Sequence, residues 1–174
     1  MTKSEIVNLL KEKHQELFDL IENKNDEKWL YYPKGKWTLG QHVLHLADSM
    51  ALLNKALRYP KFILKYKFGK SNRETRSYEM VVKKYQEKLA ANQERAKQFN
   101  SALKTPTLKD KLFLINKIKV QNNKLQQHTH KWKDKQLDTL LIPHPLMGKM
   151  TVREIIMWTA YHTEHHVKIL KDNY

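Results

Sequence analysis

The feature of this chain with the clearest chemical potential is a pair of histidines, His162 and His166, near its end. They lie four residues apart in a segment whose apolar residues recur at helical spacing. Residues four apart share one face of a helix, with Cβ atoms about 5–6 Å apart. Two imidazoles placed in this way can bind one metal ion from adjacent turns. The spacing therefore indicates half of a metal site, and the pair alone is a weak signal.

A third histidine, His45, lies far away in the sequence on the predicted inward face of another helix, among Leu44, Leu46 and Leu52. A buried imidazole is expected to be neutral and to need partners for both ring nitrogens. Each unsatisfied buried polar group costs about 1–3 kcal/mol, so three in one dry pocket would cost a large part of a domain's stability. If the three histidines meet, hydrogen bonds, water or a metal must satisfy them.

Six further histidines are present, and we assign them different weights. His42 lies three residues before His45 and His165 three after His162, so both are candidates for the rim of the site or for a place behind its ligands. We expect His165 to point toward Tyr161 and Lys168. The others are interpreted as ordinary surface residues or as part of a connecting segment: His14, His128, His130 and His144.

The elements that must position these histidines are predicted to be long amphipathic helices. Apolar periodicity predicts five helices. The first covers residues 3–23, the second runs from Thr38 to about 57, and the third covers about 78–103. The fourth follows the break at 105–107 and runs to about 131, and the last runs from Thr151 to about 171. Two of them open with a capping box, Thr38 with Gln41 and Thr151 with Glu154. Residues 29–36 are predicted to form a loop, 61–70 a short strand or extended connection, and 132–150 a non-helical or partly turned connection. This pattern predicts an all-α fold, a four-helix bundle with an added helix or a long crossover connection.

Length and composition limit the classes of protein that need to be considered. With 174 residues, 40% of them hydrophobic, the chain is expected to form one domain over 1–174. It contains no cysteine, which excludes disulfides, thiolate metal sites and a cysteine nucleophile. We expect no transmembrane helix, because no apolar run reaches about 18 residues. We also expect no secretory signal, and a cytoplasmic location.

The net charge of +15 arises almost entirely from lysines spread over the whole chain. Lysine is a hydrated point charge, whereas specific recognition of phosphates and bases favours the planar arginine fork. The surface is therefore expected to be an ordinary solvated one, with attraction of anionic small molecules as an alternative. Nonspecific nucleic-acid binding is the least favoured interpretation, supported by charge and by the alternating basic and aromatic residues at 61–70.

Two motifs of this chain resemble those of the DinB-like superfamily, which includes bacillithiol S-transferases and mycothiol-dependent enzymes. Trp37-Thr-Leu-Gly-Gln-His-Val-Leu-His45-Leu-Ala-Asp48 is similar to its Trp-Ser-x-x-Glu-x-x-x-His-Leu-x-Asp signature. His144-Pro-Leu-Met-Gly148, then Met-Thr, then His162-Thr-Glu-His-His166 is similar to its C-terminal motif. The two motifs follow the expected order over most of the chain. Gln41 departs from the signature, which often has glutamate there.

The resemblance implies a four-helix bundle in which His45, His162 and His166 bind a divalent metal ion, zinc or nickel being favoured. Three protein ligands leave a coordination position for water or a thiolate. The implied function is that of a thiol S-transferase or related hydrolase that acts on a small-molecule substrate, for which an anionic molecule is one candidate. The resemblance also implies a low-molecular-weight thiol as a cofactor and a homodimeric state. Gln41 or Asp48 is a weaker candidate for orienting a ligand or water. A non-catalytic bundle that binds a structural ion, a ligand or a partner is the alternative.

Overall fold

Four long helices form the body of the protein. In the computed structural model, which describes residues 1–22, 24–31, 36–94 and 103–174, these helices are α1 (Lys3–Glu22), α3 (Leu39–Arg58), α6 (Lys111–Lys131) and α8 (Val152–Asn173). Helix α3 packs mainly on α6, and α1 packs on both α6 and α8. The predicted all-helical bundle is confirmed. Within the described ranges no helix is long and apolar enough to cross a membrane.

Shorter elements decorate this bundle: α2 (Asp26–Leu30), α4 (Lys61–Phe68), α5 (Tyr78–Ala91), a 3-10 turn at Leu108–Asp110, α7 (Asp134–Thr139), and the strands β1 (Leu141–His144) and β2 (Gly148–Thr151). The strands pair as an antiparallel hairpin, with Leu141 opposite Thr151 and His144 opposite Gly148. Gly148 adopts a φ of 71°, a left-handed conformation that glycine tolerates without steric cost. The hairpin leads directly into α8, because β2 ends at Thr151 and α8 begins at Val152.

Several local predictions were wrong. Trp29 was expected in a loop, but it lies in α2 and is buried against Gly40, where an added Cβ would come within 2.9 Å of the indole. Residues 132–150 were predicted to be a non-helical or partly turned connection, but they contain the short helix α7 and the hairpin. The third predicted helix is present as α5 from Tyr78 to Ala91, and the part of the prediction that covers residues 95–102 lies outside the described ranges. Residues 32–35 of the predicted loop also lie outside them.

The segment 61–70 was expected to be a strand or an extended connection, and it is mostly helix α4. Pro60 supplies the backbone carbonyl that accepts the N–H groups of Ile63 and Leu64, so the helix starts immediately after the proline. Leu64 is buried, and Phe68, four residues later, packs against the core. The alternation of basic and aromatic residues therefore concealed an i,i+4 apolar pair that directs one face of a short helix inward.

The start of α8 is fixed by a buried carboxylate. Glu154 is fully buried and completes the capping box with Thr151, as the sequence predicted. It also accepts two hydrogen bonds from the Arg73 guanidinium, at 2.6 and 2.8 Å, and one from the Arg76 backbone N–H at 2.8 Å. Burial opposes ionisation, but the hydrogen bonds from Arg73, Arg76 and Thr151 outweigh it and lower the pKa of Glu154. One side chain thus caps α8 and anchors the segment before α5.

His14 was expected on the surface, but it is fully buried in α1. Its Nδ1 lies 2.7 Å from the Leu10 carbonyl oxygen, and its Nε2 lies 3.2 Å from the Thr163 hydroxyl and 3.1 Å from the Met50 sulfur. His128 is half-buried and His130 exposed on α6. The polar neighbours of His14 in sequence concealed its position, because its own side chain lies on the apolar stripe of α1 with Leu10 and Leu17.

Burial lowers the pKa of His14 from 6.5 to about 4, so we predict that acid destabilises the protein through this residue. In the unfolded chain, His14 binds a proton once the pH falls below about 6.5. In the folded chain, it stays neutral until the pH reaches about 4. The stabilisation is therefore complete above pH 6.5 and is lost as the pH falls to about 4, by roughly 3 kcal/mol in total. The free energy of unfolding in urea, measured from pH 7 to 4, should fall more steeply for the wild type than for His14→Gln. His130→Gln should follow the wild type, and parallel curves for all three proteins would contradict this assignment.

Candidate metal centre

The three histidines singled out by the sequence meet between α3 and α8. His45 projects from α3, and His162 and His166 project from successive turns of α8. The Nε2 atom of His162 lies 3.1 Å from Nε2 of His45 and 3.1 Å from Nε2 of His166. Ligand atoms of all three residues lie within 4.8 Å of one another. The predicted convergence of the three side chains is thus observed.

The donor set fits a metal ion on chemical grounds. Three imidazole nitrogens at about 2.0–2.1 Å from a tetrahedral zinc ion would lie roughly 3.3 Å apart, close to the 3.1 Å separations found here. Without a cation, neutral imidazoles that point Nε2 at one another can share only a few protons among several lone pairs. A cation held by the three Nε2 atoms would compensate for this arrangement. Nδ1 of His162, which would then carry the proton of the ring, is buried with no hydrogen-bond partner in the described structure.

Burial keeps these imidazoles neutral. It lowers the pKa of His162 and of His166 well below 6.5, and neighbouring histidines lower both further. The pKa of His45 falls to about 4 for the same reason, although the Asp48 carboxylate opposes the shift. Neutral imidazole is the form that binds metals, so the protein environment prepares these side chains for that role at physiological pH.

His42 lies behind the three converging nitrogens. Its Nδ1 is 2.8 Å from Nδ1 of His166, and burial lowers its pKa to about 3. If Nε2 of His166 binds a metal ion through its lone pair, the ring proton is on Nδ1. That N–H group then donates a hydrogen bond to Nδ1 of His42. Such a hydrogen bond fixes the tautomer and the orientation of a metal-binding histidine. The structure therefore places His42 behind the cluster and leaves His45 within it.

Two tryptophans hold the imidazole planes. Trp37 is parallel to His166 within 3°, with ring centroids 6.1 Å apart, and also contacts His45. Trp158 stacks on His162 at 4.5 Å. Sequence reasoning did not assign either residue to the site. The available signals were the position of Trp37 directly before a helix cap and that of Trp158 one turn before His162.

His144 shapes the hairpin beside the cluster. Its Nδ1 accepts the backbone N–H groups of Leu146 and Met147, each at 3.1 Å, so the imidazole proton is on Nε2. The ring also packs edge-on against Trp158 at 4.2 Å. The His-Pro-x-x-Gly sequence thus forms a turn that a histidine side chain closes and Gly148 completes.

The remaining predicted candidates have other partners. Gln41 accepts the Thr38 N–H in the capping box, and its amide group donates to the Leu103 carbonyl oxygen. Asp48 is exposed and pairs with Lys117 at 2.6 Å. Neither side chain has a hydrogen bond to a histidine in the described structure, so the suggestion that they orient a ligand finds no support. His165 lies beside Tyr161 as expected, with its ring edge toward His166.

A cavity of about 660 Å³ opens next to the cluster, within the range typical of small-molecule sites. Helix α3 forms one wall and α8 the other, while the β1–β2 hairpin, α4 and α5 contribute the remainder. His45, His162 and His166 all line it. The histidine cluster is thus accessible from a pocket large enough for a substrate.

Comparison with known proteins yields one family. The sequence model of the DinB superfamily matches residues 9–170, from the first half of α1 to the last turn of α8. This range includes all three histidines and both helix caps that precede them. No curated protein and no solved structure matches the chain.

Proposed function

The chain belongs to the DinB superfamily, and on this basis we propose that it is a metal-dependent enzyme, a thiol S-transferase or a related hydrolase. The proposed ligands of its divalent ion are His45, His162 and His166. The observation that carries the proposal is the convergence of three neutral Nε2 atoms at the wall of a substrate-sized cavity. A purely structural ion would not need an adjoining cavity.

A divalent ion bound there would lower the pKa of a thiol or water molecule and stabilise negative charge that develops during the reaction. The residues of the chain supply the remaining requirements. His42 holds the orientation of His166 through the contact between their Nδ1 atoms. Trp37 and Trp158 restrict the imidazole planes and keep bulk water away from them. The apolar cavity wall provides a site of low polarity, where electrostatic interactions are stronger than in water.

The identity of the ion follows from ligand type only in part. Three imidazoles suit zinc, nickel, iron and cobalt, and availability decides among them. Zinc or nickel is the choice that the family resemblance favours, with a low-molecular-weight thiol as co-substrate. The absence of cysteine from the chain means that any thiolate at the site must come from a bound molecule.

We predict that protein purified without an affinity tag contains about one divalent ion per chain, in line with one three-histidine site. Replacing two of the three ligands in His45→Ala/His162→Ala should reduce the metal content to background, because one imidazole cannot retain the ion. His130→Ala removes an exposed histidine from α6 and should retain the wild-type content. Elemental analysis by inductively coupled plasma mass spectrometry measures all three proteins. Equal metal in the double variant and the wild type would end the proposal of this site.

We also predict catalysis that depends on the ion. The metal-loaded wild type should consume a low-molecular-weight thiol in the presence of an electrophile, or hydrolyse an ester or amide, at least a hundredfold faster than the double variant. Loss of free thiol and release of product are the two measurements. A protein that binds the ion at these histidines but shows neither reaction would support the alternative of a non-catalytic binding module.

His42 should affect metal binding without being a ligand. Removing the outer hydrogen-bond partner of a ligating histidine typically weakens metal binding by 10–100-fold. We therefore expect His42→Ala to bind zinc with an affinity reduced by about this factor, measured by competition with a chromophoric chelator. His128→Ala, on α6, is the control. An unchanged affinity in His42→Ala would show that the contact with His166 has no effect on the ion.

A further inference from the structure

The cavity beside the histidines is elongated along α3. His45, Ser49, Leu52 and Ala56 lie on one face of this helix, Tyr59 follows directly after its last residue, and all five line the cavity. A rise of 1.5 Å per residue makes this face roughly 21 Å long from His45 to Tyr59. The cavity is therefore a groove that contains the histidine cluster and continues well beyond it toward Tyr59.

Helix α8 forms the opposite wall and runs antiparallel to α3. This direction follows from the histidine contacts: His42 meets His166, and His45, one turn further along α3, meets His162, one turn back on α8. Ile155, near the start of α8, consequently lies toward the Tyr59 end of the groove. The residues of α8 that line the groove include Ile155, Trp158 and His162.

The polarity of the wall changes along the groove. His45, His162, His166 and Ser49 lie toward one end, whereas Leu52, Tyr59, Phe68 and Ile142 lie beyond them. His144 of the hairpin also lines the groove, where its ring packs against Trp158. Leu52 is 70% exposed and Tyr59 43% exposed, so large apolar side chains remain open to solvent at the groove's edge. Exposed apolar surface next to a pocket is a common mark of a ligand-binding site.

Charge further restricts the ligand. Among the described residues that line the groove, Lys55 is the only one with a charged side chain, and neither arginine nor a carboxylate is present. A ligand with several carboxylates or phosphates is normally recognised by arginine forks or several cations. The strongly basic composition of the chain is thus not concentrated where the substrate would bind.

We propose that the groove binds an elongated amphiphilic substrate. Its single polar, reactive head group lies at the histidines, and its apolar tail extends along α3 toward Tyr59 and Phe68. The position of the head group rests on the proposed function, because it assumes an ion at the cluster. The position of the tail does not, since it depends only on the apolar walls.

The tail is tested on metal-free protein with a series of 1-alkanols from hexanol to dodecanol. Binding is followed by intrinsic tryptophan fluorescence, because Trp37 and Trp158, two of the four tryptophans, line the groove. Burial of each added methylene should increase the affinity about three- to fourfold. An affinity that does not depend on chain length would overturn the proposal.

A substitution within the groove tests its position. Ala56→Phe places a bulky ring on the lining face of α3, so the gain in affinity should stop at a shorter alkanol than in the wild type. Ala51→Phe adds the same ring on the same helix outside the groove and should retain the wild-type dependence on chain length. Circular dichroism checks that both variants are folded. Identical chain-length profiles for the wild type and Ala56→Phe would place the tail elsewhere.

The head group is tested on zinc-loaded protein. A zinc ion at the cluster should make 1-decanethiol bind at least tenfold more tightly than 1-decanol, whereas metal-free protein should not distinguish the two. A chain-length effect without this preference for the thiol would contradict the position of the head group and the proposed function, while leaving the tail site supported. Failure of the alkanol series together with retention of zinc would contradict the groove proposal alone.

Discussion

The arrangement of this protein depends on the contact between two helices that bury imidazoles against each other. His45 on α3 and His162 and His166 on α8 face one another within hydrogen-bonding distance at the wall of a cavity. Apolar packing alone would tolerate a small sliding of α3 along α8. The histidine contacts do not, because a shift of one residue would move a ring by 1.5 Å and rotate it by about 100°. The register of the two helices is therefore the quantity that the fold has to maintain.

Local interactions maintain that register at the helix ends. Thr38 and Gln41 fix where α3 begins, six residues before His45, and Thr151 and Glu154 fix where α8 begins. Glu154 extends this control through Arg73 and Arg76 to the segment before α5. The hairpin then sets the direction from which the chain enters α8. Interactions distant from the cluster thus decide whether its nitrogens meet.

Residues that act through short-range rules could be predicted from the sequence. The capping boxes and the 3.6-residue periodicity of α1, α3 and α8 depend on neighbours a few positions away, so both were read correctly. The fourth helix was also found, although its first residues form a 3-10 turn.

His14 was assigned wrongly because its burial depends on which face of α1 packs against the other helices. The polar residues next to His14 in sequence lie on other faces of α1 and do not indicate this. Helix α4 was missed because its apolar face consists of two residues, too few for a periodic signal. The stacking of Trp158 on His162, the contact of His42 with His166 and the groove itself all arise from packing between distant segments, for which one sequence contains no local signal.

The division of the bundle into two pairs of helices has an evolutionary consequence. The three histidines come from α3 and α8 alone, while α1 and α6 support them by packing. Selection on the proposed metal chemistry would therefore act on a few positions whose spacing along two helices is strict. The other half of the bundle can exchange one set of apolar residues for another of similar volume at modest cost. Descendants of such a protein can retain the same centre after overall identity has decayed, so the spacing of histidines between capped helices is a better guide to relatives than the fraction of identical residues.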